Sequence, residues 1–349
     1  MKNTHAKELT VKKTNFGVGI PTGTEGLMYP IPFAKVRDNI KISMAAETLG
    51  YDSVWGNDHV STQHYVRDEF DAPPNYYAPL MTLAAIAENT ERIKVATALL
   101  VVPFREPAII AKEVATLDQL SNGRAIIGLG IGAYREEFVA MRGDYAKKVH
   151  RGELLDECIA VLEKIFREDV VTFKGKYFEL HELQSYPKPI QRPFPFYIGG
   201  NAPQGRERTA RYGQGWLPAV LSPAEIKSGV EEIKSYCDKY GRNFDEIDIA
   251  PQLSVSIGKS NDDAVEKLKK SQLYKHMVSL KKSTLKDQDT SRIDERNLIG
   301  TPDKIGEQIE RYIDAGVTTF SAMLFAVNTV DEFIESMQFF AEEVMTKFR

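Results

Sequence analysis

Two hydrophobic patterns alternate along this chain. Short continuous apolar runs predict strands, which we place at 16–20, 52–56, 93–99, 125–129, 196–199, 215–218, 247–257 and 317–325. Between them, apolar residues recur at steps of three and four, which predicts helices at 34–49, 79–88, 107–120, 152–166, 204–212, 223–239, 262–270, 302–315 and 330–348. A strand followed by a helix, repeated in this way, is typical of a parallel sheet covered by helices.

Eight such units predict a (β/α)8 TIM barrel of the α/β class. An open doubly wound sheet is the alternative, and the barrel is favoured because no polar linker divides the repeat into two domains. Two insertions are expected: a β-hairpin at 170–180, after the fourth long helix, and a lid-like polar segment at 271–300, after the seventh strand. Residues 1–14 are expected to form an N-terminal extension, and 15–349 to form the barrel domain.

The composition argues against a membrane-spanning protein and against a nucleic-acid-binding protein. Of 349 residues, 42% are hydrophobic and 27% are charged, and no apolar run approaches the roughly 20 residues needed to span a bilayer. The net charge of −4 argues against nucleic-acid binding, which usually requires a concentrated basic surface. The N-terminal lysines lack the apolar region of a secretory signal, and Cys158 and Cys237 have neither metal nor disulfide spacing. We therefore expect a cytoplasmic location.

In a TIM barrel the active face lies at the carboxyl ends of the strands, which selects the candidates for chemistry. The second strand ends at Asn57, Asp58 and His59. An imidazole exchanges protons near neutral pH and a carboxylate can fix its tautomer; the alternative is a turn-capping aspartate beside an exposed histidine. Thr97, on the third strand, is predicted either to bond the edge of a ring or to satisfy its hydroxyl inside the barrel. No His or Cys spacing predicts a metal site.

Glycines mark two segments where a ligand could approach the backbone. The first lies where the fourth strand meets its loop and contains Gly128, Gly130 and Gly132. A phosphate or a flat ring could fit there, although a tight turn would require the same glycines. The second leads from the fifth strand into a helix and contains Gly199, Gly200 and Asn201. Backbone N–H groups at a helix start bind anions, so this segment is the predicted phosphate cradle.

Trp55 and Trp216 lie at the ends of the second and sixth predicted strands. Each could form one side of a pocket for a flat ring or pack in the core. The chain contains no G-x-S-x-G elbow, no G-x-x-x-x-G-K-[ST] loop and no H-E-x-x-H helix. The motifs of serine hydrolases, P-loop NTPases and zinc proteases are therefore absent from the sequence.

Seven segments carry a resemblance in both order and spacing: DSVWGNDHV, PFREPAIIAKEVATLDQLSNGRAIIGLGIGAYREEF, RGELLDE, FKGKYFEL, YPKPIQRPFPFYIGG, ARYGQGWLPA and GTPDKIGEQIERYIDAGV. Together they resemble the bacterial luciferase-like monooxygenase superfamily of flavin- and deazaflavin-dependent oxidoreductases, from about residue 15 to the end of the chain. The resemblance implies a TIM barrel that binds FMN or the deazaflavin F420 at its carboxyl-terminal mouth, under the insertion after strand seven.

The resemblance also implies roles for single residues. The Asp-His pair resembles the F420-dependent members, whose histidine lies beside the ring and takes part in hydride chemistry, so His59 is the predicted catalytic residue. Cofactor contacts are implied for Asp58, Thr97, Gly130, Gly132, Ala133, Glu136, Gly199 and Gly200. The glycine at position 128 also resembles the F420-dependent members, because many flavin monooxygenases carry an asparagine at this position. Ala133 stands where the family's sugar-phosphate dehydrogenase has an acid glutamate, which argues against glucose 6-phosphate oxidation.

The predicted function is F420-dependent hydride transfer to or from a small organic substrate. One alternative is an FMNH2-dependent monooxygenase, which inserts an oxygen atom from O2. A second is a barrel that binds a flavin without catalysis. The resemblance further implies a homodimer and a separate flavin or F420 reductase as partner, with the cofactor supplying the redox chemistry and the protein its orientation.

Overall fold

A computed structural model describes residues 14–279 and 293–349 of the chain. Within these residues, ten strands form one parallel sheet and two form a separate antiparallel hairpin. The strands are β1 (Asn15–Ile20), β2 (Ser53–Gly56), β3 (Lys94–Val101), β4 (Ala125–Gly130), β5 (Val171–Lys174), β6 (Glu179–Leu183), β7 (Phe196–Gly199), β8 (Gly215–Leu217), β9 (Asp248–Ile249), β10 (Gln252–Ile257), β11 (Leu298–Gly300) and β12 (Thr319–Phe325).

The large sheet has the order β11-β10-β12-β1-β2-β3-β4-β7-β8-β9 and closes on itself. Its two ends meet because β9 and β10 belong to one segment. The Ala250 N–H donates to the Trp216 carbonyl at 2.8 Å, and the Gln252 N–H donates to the Pro218 carbonyl at 2.9 Å. Since β10 also pairs with β12, the barrel is complete and the alternative of an open sheet is wrong. β11 is an additional strand beside β10.

Helices follow most barrel strands. They are α1 (Val36–Thr48), α2 (His64–Glu69), α3 (Pro79–Glu88), α4 (Pro107–Leu120), α5 (Arg135–Arg142), α6 (Asp144–Lys148), α7 (Arg151–Arg167), α8 (Pro203–Tyr212), α9 (Pro223–Tyr240), α10 (Asn261–Lys270), α11 (Gln272–Ser279), α12 (Pro302–Asp314) and α13 (Val330–Glu343). A proline in the first turn begins α3, α4, α8, α9 and α12, where its missing N–H costs no helical hydrogen bond.

The core has two compartments, as expected for a barrel. The larger lies between the strands and the helices and includes Phe16, Ile127 and Leu155. The smaller fills the barrel interior and consists of Trp55, Ala96, Ile126, Tyr197, Leu217, Ala250 and Ala322. Because this interior is packed, a ligand can enter only at the mouth of the barrel.

The structure adds elements that hydrophobic periodicity did not predict. The loop after β2 contains α2, and the loop after β4 contains α5 and α6. The predicted hairpin is present as β5 and β6. Of the predicted lid-like segment, α11 and β11 are described, and residues 280–292 lie outside the described residues, as do residues 1–13 of the predicted extension. Among the described helices, none combines the length and apolar composition needed to cross a membrane.

Candidate active site

A cavity of about 1040 Å³ opens at the carboxyl-terminal mouth of the barrel. Its walls come from the loops that follow successive strands, together with α7, α8, α9 and α11. The predicted site residues that line it are Asp58, His59, Gly132, Ala133, Gly199, Gly200 and Asn201. The cavity therefore brings together predicted residues from three separate strand ends, those of β2, β4 and β7.

His59 lies in the cavity wall with one ring nitrogen already engaged. Its Nδ1 lies 2.8 Å from Oε1 of Glu137, a buried carboxylate on α5. A carboxylate only accepts hydrogen bonds, so Nδ1 carries the proton, and in the neutral ring Nε2 keeps its lone pair. The imidazole is thereby oriented with Nε2 as the nitrogen that can take a proton from a substrate.

Glu137 stays ionised although it is buried. Burial acts to raise the pKa of this carboxyl, but hydrogen bonds from His59, from Gln63 and from the Val60 N–H outweigh that effect and hold the pKa below its ordinary value. Gln63 donates from Nε2 to Glu137 at 2.7 Å and accepts at Oε1 from the Tyr76 hydroxyl at 2.8 Å. Burial raises the pKa of Tyr76, so its phenol keeps the proton that it donates.

The neighbouring Glu136 bonds to a different residue, His64. One of its oxygens accepts from the His64 N–H at 2.9 Å, and the other lies 2.7 Å from His64 Nδ1. Glu136 is not among the residues that line the cavity. Glu136 therefore bonds to α2 in the loop after β2, while Glu137 faces His59, because successive helical residues point about 100° apart.

Asp58 does not orient His59. Its carboxylate forms a two-pronged ion pair with Arg105, with contacts of 2.5 and 3.0 Å, and accepts the Val101 N–H at 2.9 Å. The Asp58 side chain is 1% exposed. Its acceptor atoms thus hold β2 against the end of β3, and the carboxylate next to the imidazole comes from Glu137 instead.

Thr97 is turned into the barrel. It is fully buried, and its hydroxyl donates to the Gly128 carbonyl at 3.0 Å. It does not line the cavity, so the structure matches the alternative in which Thr97 satisfies its hydroxyl internally. Gly130 is likewise buried below the cavity, where an added Cβ would lie 2.3 Å from the Leu99 side chain.

A bulge in β3 shapes the cavity floor. The pairing of β3 with β4 shifts register between Thr97 and Leu100, and the peptide bond between Ala98 and Leu99 is cis. A bulge redirects side chains, and Leu99 lines the cavity together with Ala98. These side chains give the floor an apolar surface suited to a flat ring.

The predicted phosphate cradle has the geometry of an anion site. Gly199 and Gly200 lead into α8, whose first residue is preceded by Ala202, so no side chain caps the helix. Gly200 has a φ angle of +128°, a backbone conformation that residues other than glycine rarely adopt. An added Cβ at Gly199 would lie 2.5 Å from Leu99. Gly199 is therefore packed against Leu99, whereas Gly200 has open space beside it, at a helix start that favours negative charge.

Asn201 contributes to the cradle through its position. Its side-chain amide donates to the Ala219 carbonyl and accepts the Ala219 N–H, both at 2.9 Å, so it ties the loop after β7 to the loop after β8. The Trp216 indole N–H donates to the Gly200 carbonyl at 2.9 Å from beneath. Both Trp55 and Trp216 are buried outside the cavity lining, which matches the core alternative for these residues.

Arginines line the cavity around the cradle. Arg151, on α7, donates to the carbonyls of Ile131 and Gly132 at 3.0 and 2.8 Å. Burial, with Arg135 nearby, lowers the pKa of Arg151, yet an arginine stays charged at neutral pH. Further along α8, Arg208 pairs with Asp156, and Arg211 lies over the Tyr212 ring. The carboxylates of Glu153, Asp156 and Glu207 line the same end, so both signs of charge are present there.

Three lining or supporting residues were missed by sequence reasoning: Glu137, Arg151 and His276. His276, on α11, is 5% exposed and lines the cavity. Burial lowers its pKa to about 3, and a protonated His59 would lower it further. Glu137 and Arg151 stand within segments that carried the family resemblance, so those segments held a usable signal; His276 lies in a stretch without periodicity and offered none.

Among the described residues, no cluster of His, Cys, Asp and Glu could hold a metal.

Comparison with known proteins identifies related chains. The model of the luciferase-like monooxygenase family matches residues 14–319. An F420-dependent glucose-6-phosphate dehydrogenase from Amycolatopsis mediterranei is 29% identical over 296 residues, which cover 80% of this chain and 86% of the relative. The similarity therefore extends over most of both proteins.

Two solved structures show the same fold. An F420-dependent secondary alcohol dehydrogenase in complex with an F420-acetone adduct has a TM-score of 0.77 at 23% identity, covering 95% of this chain and 98% of its own. The oxygenating constituent of 3,6-diketocamphane monooxygenase from Pseudomonas putida, in complex with FMN, has a TM-score of 0.73 at 19% identity, covering 96% and 99%. At these identities the likeness concerns the fold alone.

Proposed function

Because this chain belongs to the luciferase-like monooxygenase family, we propose that it is an F420-dependent oxidoreductase that transfers hydride to or from a small organic substrate. The observation that carries the proposal is the pairing of His59 with Glu137 in the wall of a cavity that ends at an uncapped helix start. The name of the relative from Amycolatopsis mediterranei, F420-dependent glucose-6-phosphate dehydrogenase, supports the choice of cofactor.

The residues present fit a flat cofactor that carries a phosphate. The apolar floor formed by Ala98 and Leu99 suits the ring, and the backbone at Gly199 and Gly200 suits the phosphate. Gly132 and Ala133 line the same cavity and could contact the cofactor there. When bound, F420 supplies two-electron hydride chemistry without activation of oxygen.

Two observations favour F420 over FMN. F420 carries an oligoglutamate chain beyond its phosphate, whereas FMN ends there, and the cavity continues past the cradle along α8 to Arg208 and Arg211. Arg211 would be the partner for a carboxylate of such a chain, since Arg208 is paired with Asp156 and Glu207 also lines that path. In addition, an added Cβ at Gly128 would lie 2.2 Å from the Thr97 carbonyl oxygen, so the asparagine of many flavin monooxygenases has no room in this barrel.

His59 handles the proton of the reaction. In alcohol oxidation, the imidazole Nε2 accepts the hydroxyl proton and a carbonyl forms, while the hydride of the broken carbon–hydrogen bond would pass to the oxidised cofactor. Glu137 stabilises the resulting imidazolium through Nδ1, since the charge of the carboxylate is retained at neutral pH. In the reverse direction the same imidazole returns the proton to the carbonyl oxygen.

We also propose a cytoplasmic homodimer that receives F420 from a separate reductase. These statements rest on the family resemblance. The exposed apolar side chains Met81 and Ile109, on α3 and α4, are compatible with a contact between two copies. Analytical ultracentrifugation of the purified protein measures the assembly directly.

The proposed cofactor is tested by titration of the purified apoprotein with F420 and with FMN, followed by the fluorescence of each compound. We expect an F420 Kd at least about 10-fold below that for FMN, which corresponds to about 1.4 kcal/mol. Tight FMN binding without F420 affinity would overturn the proposal and leave the monooxygenase alternative. Binding of F420 with no turnover of any alcohol, aldehyde or ketone would instead support a non-catalytic barrel.

A matched pair of variants tests whether F420 binds at the predicted phosphate cradle. Gly199→Ala adds a methyl group 2.5 Å from Leu99 and should weaken F420 binding by at least about 10-fold, because the cradle and the cavity floor are forced apart. Gly306→Ala, on α12, adds the same group where no atom lies within 4 Å, and should leave the affinity unchanged. Equal affinities for the two variants would remove the cradle from the binding site.

A further inference from the structure

Gln63 is a fully buried amide beside His59, and it takes no direct part in the proton transfer described above. It immediately precedes α2, and its backbone carbonyl accepts the N–H groups of Val66 and Arg67, both at 3.1 Å. Gln63 does not line the cavity. Any influence of Gln63 on the reaction therefore passes through the residues to which its side chain bonds.

The partners of Gln63 fix which end of its amide is the nitrogen. The Glu137 carboxylate and the Ser61 carbonyl only accept hydrogen bonds, and they lie 2.7 and 3.3 Å from Nε2. The nitrogen must face both of them, because a flipped amide would place its oxygen against two other oxygens. Oε1 is left to accept from the Tyr76 hydroxyl at 2.8 Å. Both amide hydrogens and the amide oxygen are thus paired.

This arrangement leaves no amide hydrogen for His59. Nε2 of Gln63 lies 3.1 Å from Nδ1 of the imidazole, which is close enough for a hydrogen bond. An amide hydrogen donated there would make Nδ1 the acceptor, and the neutral ring would then carry its proton on Nε2. A protonated Nε2 cannot take a proton from a substrate. Because both amide hydrogens are engaged by Glu137 and Ser61, Nδ1 remains a donor to Glu137.

Gln63 also completes the hydrogen bonds of the Glu137 carboxylate. Oε1 accepts from His59 at 2.8 Å and from Gln63 at 2.7 Å. Oε2 accepts the N–H groups of Val60 and Ser61 at 3.1 and 3.5 Å. A carboxylate has about four acceptor positions, so this one is fully occupied. Loss of Gln63 would remove the shortest of these bonds from a buried charge.

Tyr76, which bonds to the amide oxygen, is held in place by a different loop. The Asn75 N–H donates to the Glu25 carboxylate at 2.8 Å, and the Tyr77 N–H donates to the Thr22 carbonyl at 2.7 Å. Because Thr22 and Glu25 follow β1, the loop after β1 sets the position of the Tyr76 hydroxyl. Tyr76 does not line the cavity either.

We propose that Gln63 is a positioning residue that keeps the Glu137 carboxylate an acceptor for His59 Nδ1, and that Tyr76 holds the Gln63 amide in the orientation that this requires. The inference rests on the proposed function, in which His59 Nε2 takes the substrate proton. Two residues outside the cavity lining thereby select the nitrogen that reacts. The bond from Gln63 acts to lower the pKa of Glu137 against the effect of burial, in agreement with this role.

The first measurement uses the purified apoprotein, labelled with ¹³C at the glutamate carboxyl groups. NMR follows the titration of Glu137, whose signal is assigned by its loss in Glu137→Gln. The titration midpoint should lie at least about one pH unit higher in Gln63→Met, because methionine has a similar length but donates no hydrogen bond. Tyr76→Phe should raise the midpoint by less, since the amide is retained and only its oxygen loses a donor.

The other titratable groups near these residues are the same in wild type and variants. They are His59, which bonds to Glu137; Tyr65 and Glu25, whose charges act on Tyr76; His276, on which a charged His59 acts; and the pair Glu136–His64. A difference in midpoint therefore reports the loss of the amide or of the hydroxyl.

The second measurement uses the F420-loaded protein and four probes: 2-propanol, cyclohexanol, glucose and glucose 6-phosphate. Turnover is followed by the absorbance of F420, and the preferred probe is the one with the highest kcat/KM. Gln63→Met should lower kcat for this probe by about 10-fold and leave KM within about threefold, since one hydrogen bond to a charged group is lost outside the cavity lining. In the Glu137→Gln background the same substitution should lower kcat by less than about threefold, because no carboxylate remains for Gln63 to hold.

Tyr77→Phe is the matched control for Tyr76→Phe, because the Tyr77 hydroxyl donates to the Ala34 carbonyl, at 3.3 Å, rather than to Gln63. It should leave the Glu137 midpoint and kcat unchanged. An unchanged midpoint in Gln63→Met overturns the inference. An equal loss of kcat in the wild-type and Glu137→Gln backgrounds also overturns it, since Gln63 would then act through packing alone.

The apoprotein titration keeps failure of this inference distinct from failure of the proposed function. If F420 binds and the Glu137 midpoint does not respond to Gln63→Met, the inference is wrong and the proposed cofactor stands. If F420 does not bind, the proposed function fails, and the titration alone decides the role of Gln63; it also decides that role if no probe is turned over. A raised midpoint together with the kinetic dependence on Glu137 supports both.

Discussion

At the scale of single residues, the carboxylate pair Glu136–Glu137 has the largest influence on the site. Both residues lie in the first turn of α5, yet Glu136 bonds to His64 and Glu137 bonds to His59. Together they attach the loop after β2 to the helix after β4. The orientation of His59 therefore depends on a residue 78 positions away in sequence.

We predict that Glu137→Gln lowers kcat by about 100-fold, because a neutral amide neither fixes the tautomer of His59 nor stabilises its protonated form. The F420 Kd should stay within about threefold, since Glu137 does not line the cavity. Steady-state kinetics with the preferred probe and a fluorescence titration measure the two quantities. Glu136→Gln is the matched control, for which we expect a change in kcat below about threefold; similar losses in both variants would show that only the loop attachment matters.

We predict that His276 makes the protein sensitive to acid. Its pKa in the folded state lies below that in the unfolded chain, so the unfolded chain takes up the proton first as pH falls. The stability associated with the neutral imidazole is complete above about pH 6.5 and is lost toward pH 3, at up to about 1.4 kcal/mol per pH unit. Urea unfolding at pH 7 and pH 5 should show a smaller loss in His276→Gln than in the wild type.

His181→Gln is the control for this measurement, because His181 is exposed and its removal should leave the pH dependence unchanged. If the wild type and His276→Gln lose the same free energy between pH 7 and pH 5, the buried imidazole is not neutral as described.

At the scale of elements, polar contacts hold the strand ends that form the mouth. Asp58 joins the end of β2 to Val101 on β3 and to Arg105 beyond it. Asn201 joins the loops after β7 and β8. These two side chains therefore connect neighbouring strand ends at the mouth of the barrel.

We predict that Asp58→Asn reduces the free energy of unfolding by about 3 kcal/mol, because it leaves the largely buried Arg105 without its charge partner. Urea denaturation at neutral pH measures this loss. Asp331→Asn removes one partner of the exposed pair between Lys41 and Asp331 and should change stability by less than about 0.5 kcal/mol. A comparable small change in Asp58→Asn would contradict the role of the ion pair.

At the scale of the whole molecule, the cavity is shared among loops from most barrel strands. A ligand that contacts the loops after β2, β3, β4 and β7 joins segments that are distant in sequence. Ligand binding should therefore stabilise the barrel as a unit, since the unfolded chain offers no such site.

We predict that F420 at 100 times its Kd raises the free energy of unfolding by about 2.7 kcal/mol, while FMN at the same concentration has a smaller effect. A thermal unfolding series at several F420 concentrations measures this increase as a rise in Tm. Gly199→Ala, with its affinity lowered at least about 10-fold, should reduce the increase to about 1.4 kcal/mol or less, and Gly306→Ala should retain it in full. A Tm that does not respond to F420 in any variant would contradict binding at the mouth.

The sequence by itself determined the architecture and the location of the site. The strand pattern predicted all eight barrel strands, and the structure confirms the closed sheet. The barrel rule then placed His59 and the glycines of the cradle at one mouth, and these residues do line the cavity. Periodicity suffices for this because it records which positions are buried, and burial fixes how strands and helices stack.

Only the tertiary structure decided which side chains meet. Glu137 rather than Asp58 supports His59, Thr97 faces inward, and His276 enters the cavity from a segment without periodicity. Adjacent loop residues give the same signal in the hydrophobic pattern, but their side chains point in different directions. The residues that these side chains contact lie many positions away in sequence. The hydrophobic pattern contains no information about such directions, because polar contacts at the mouth depend on the packing of whole elements, which is specified only once the barrel has closed.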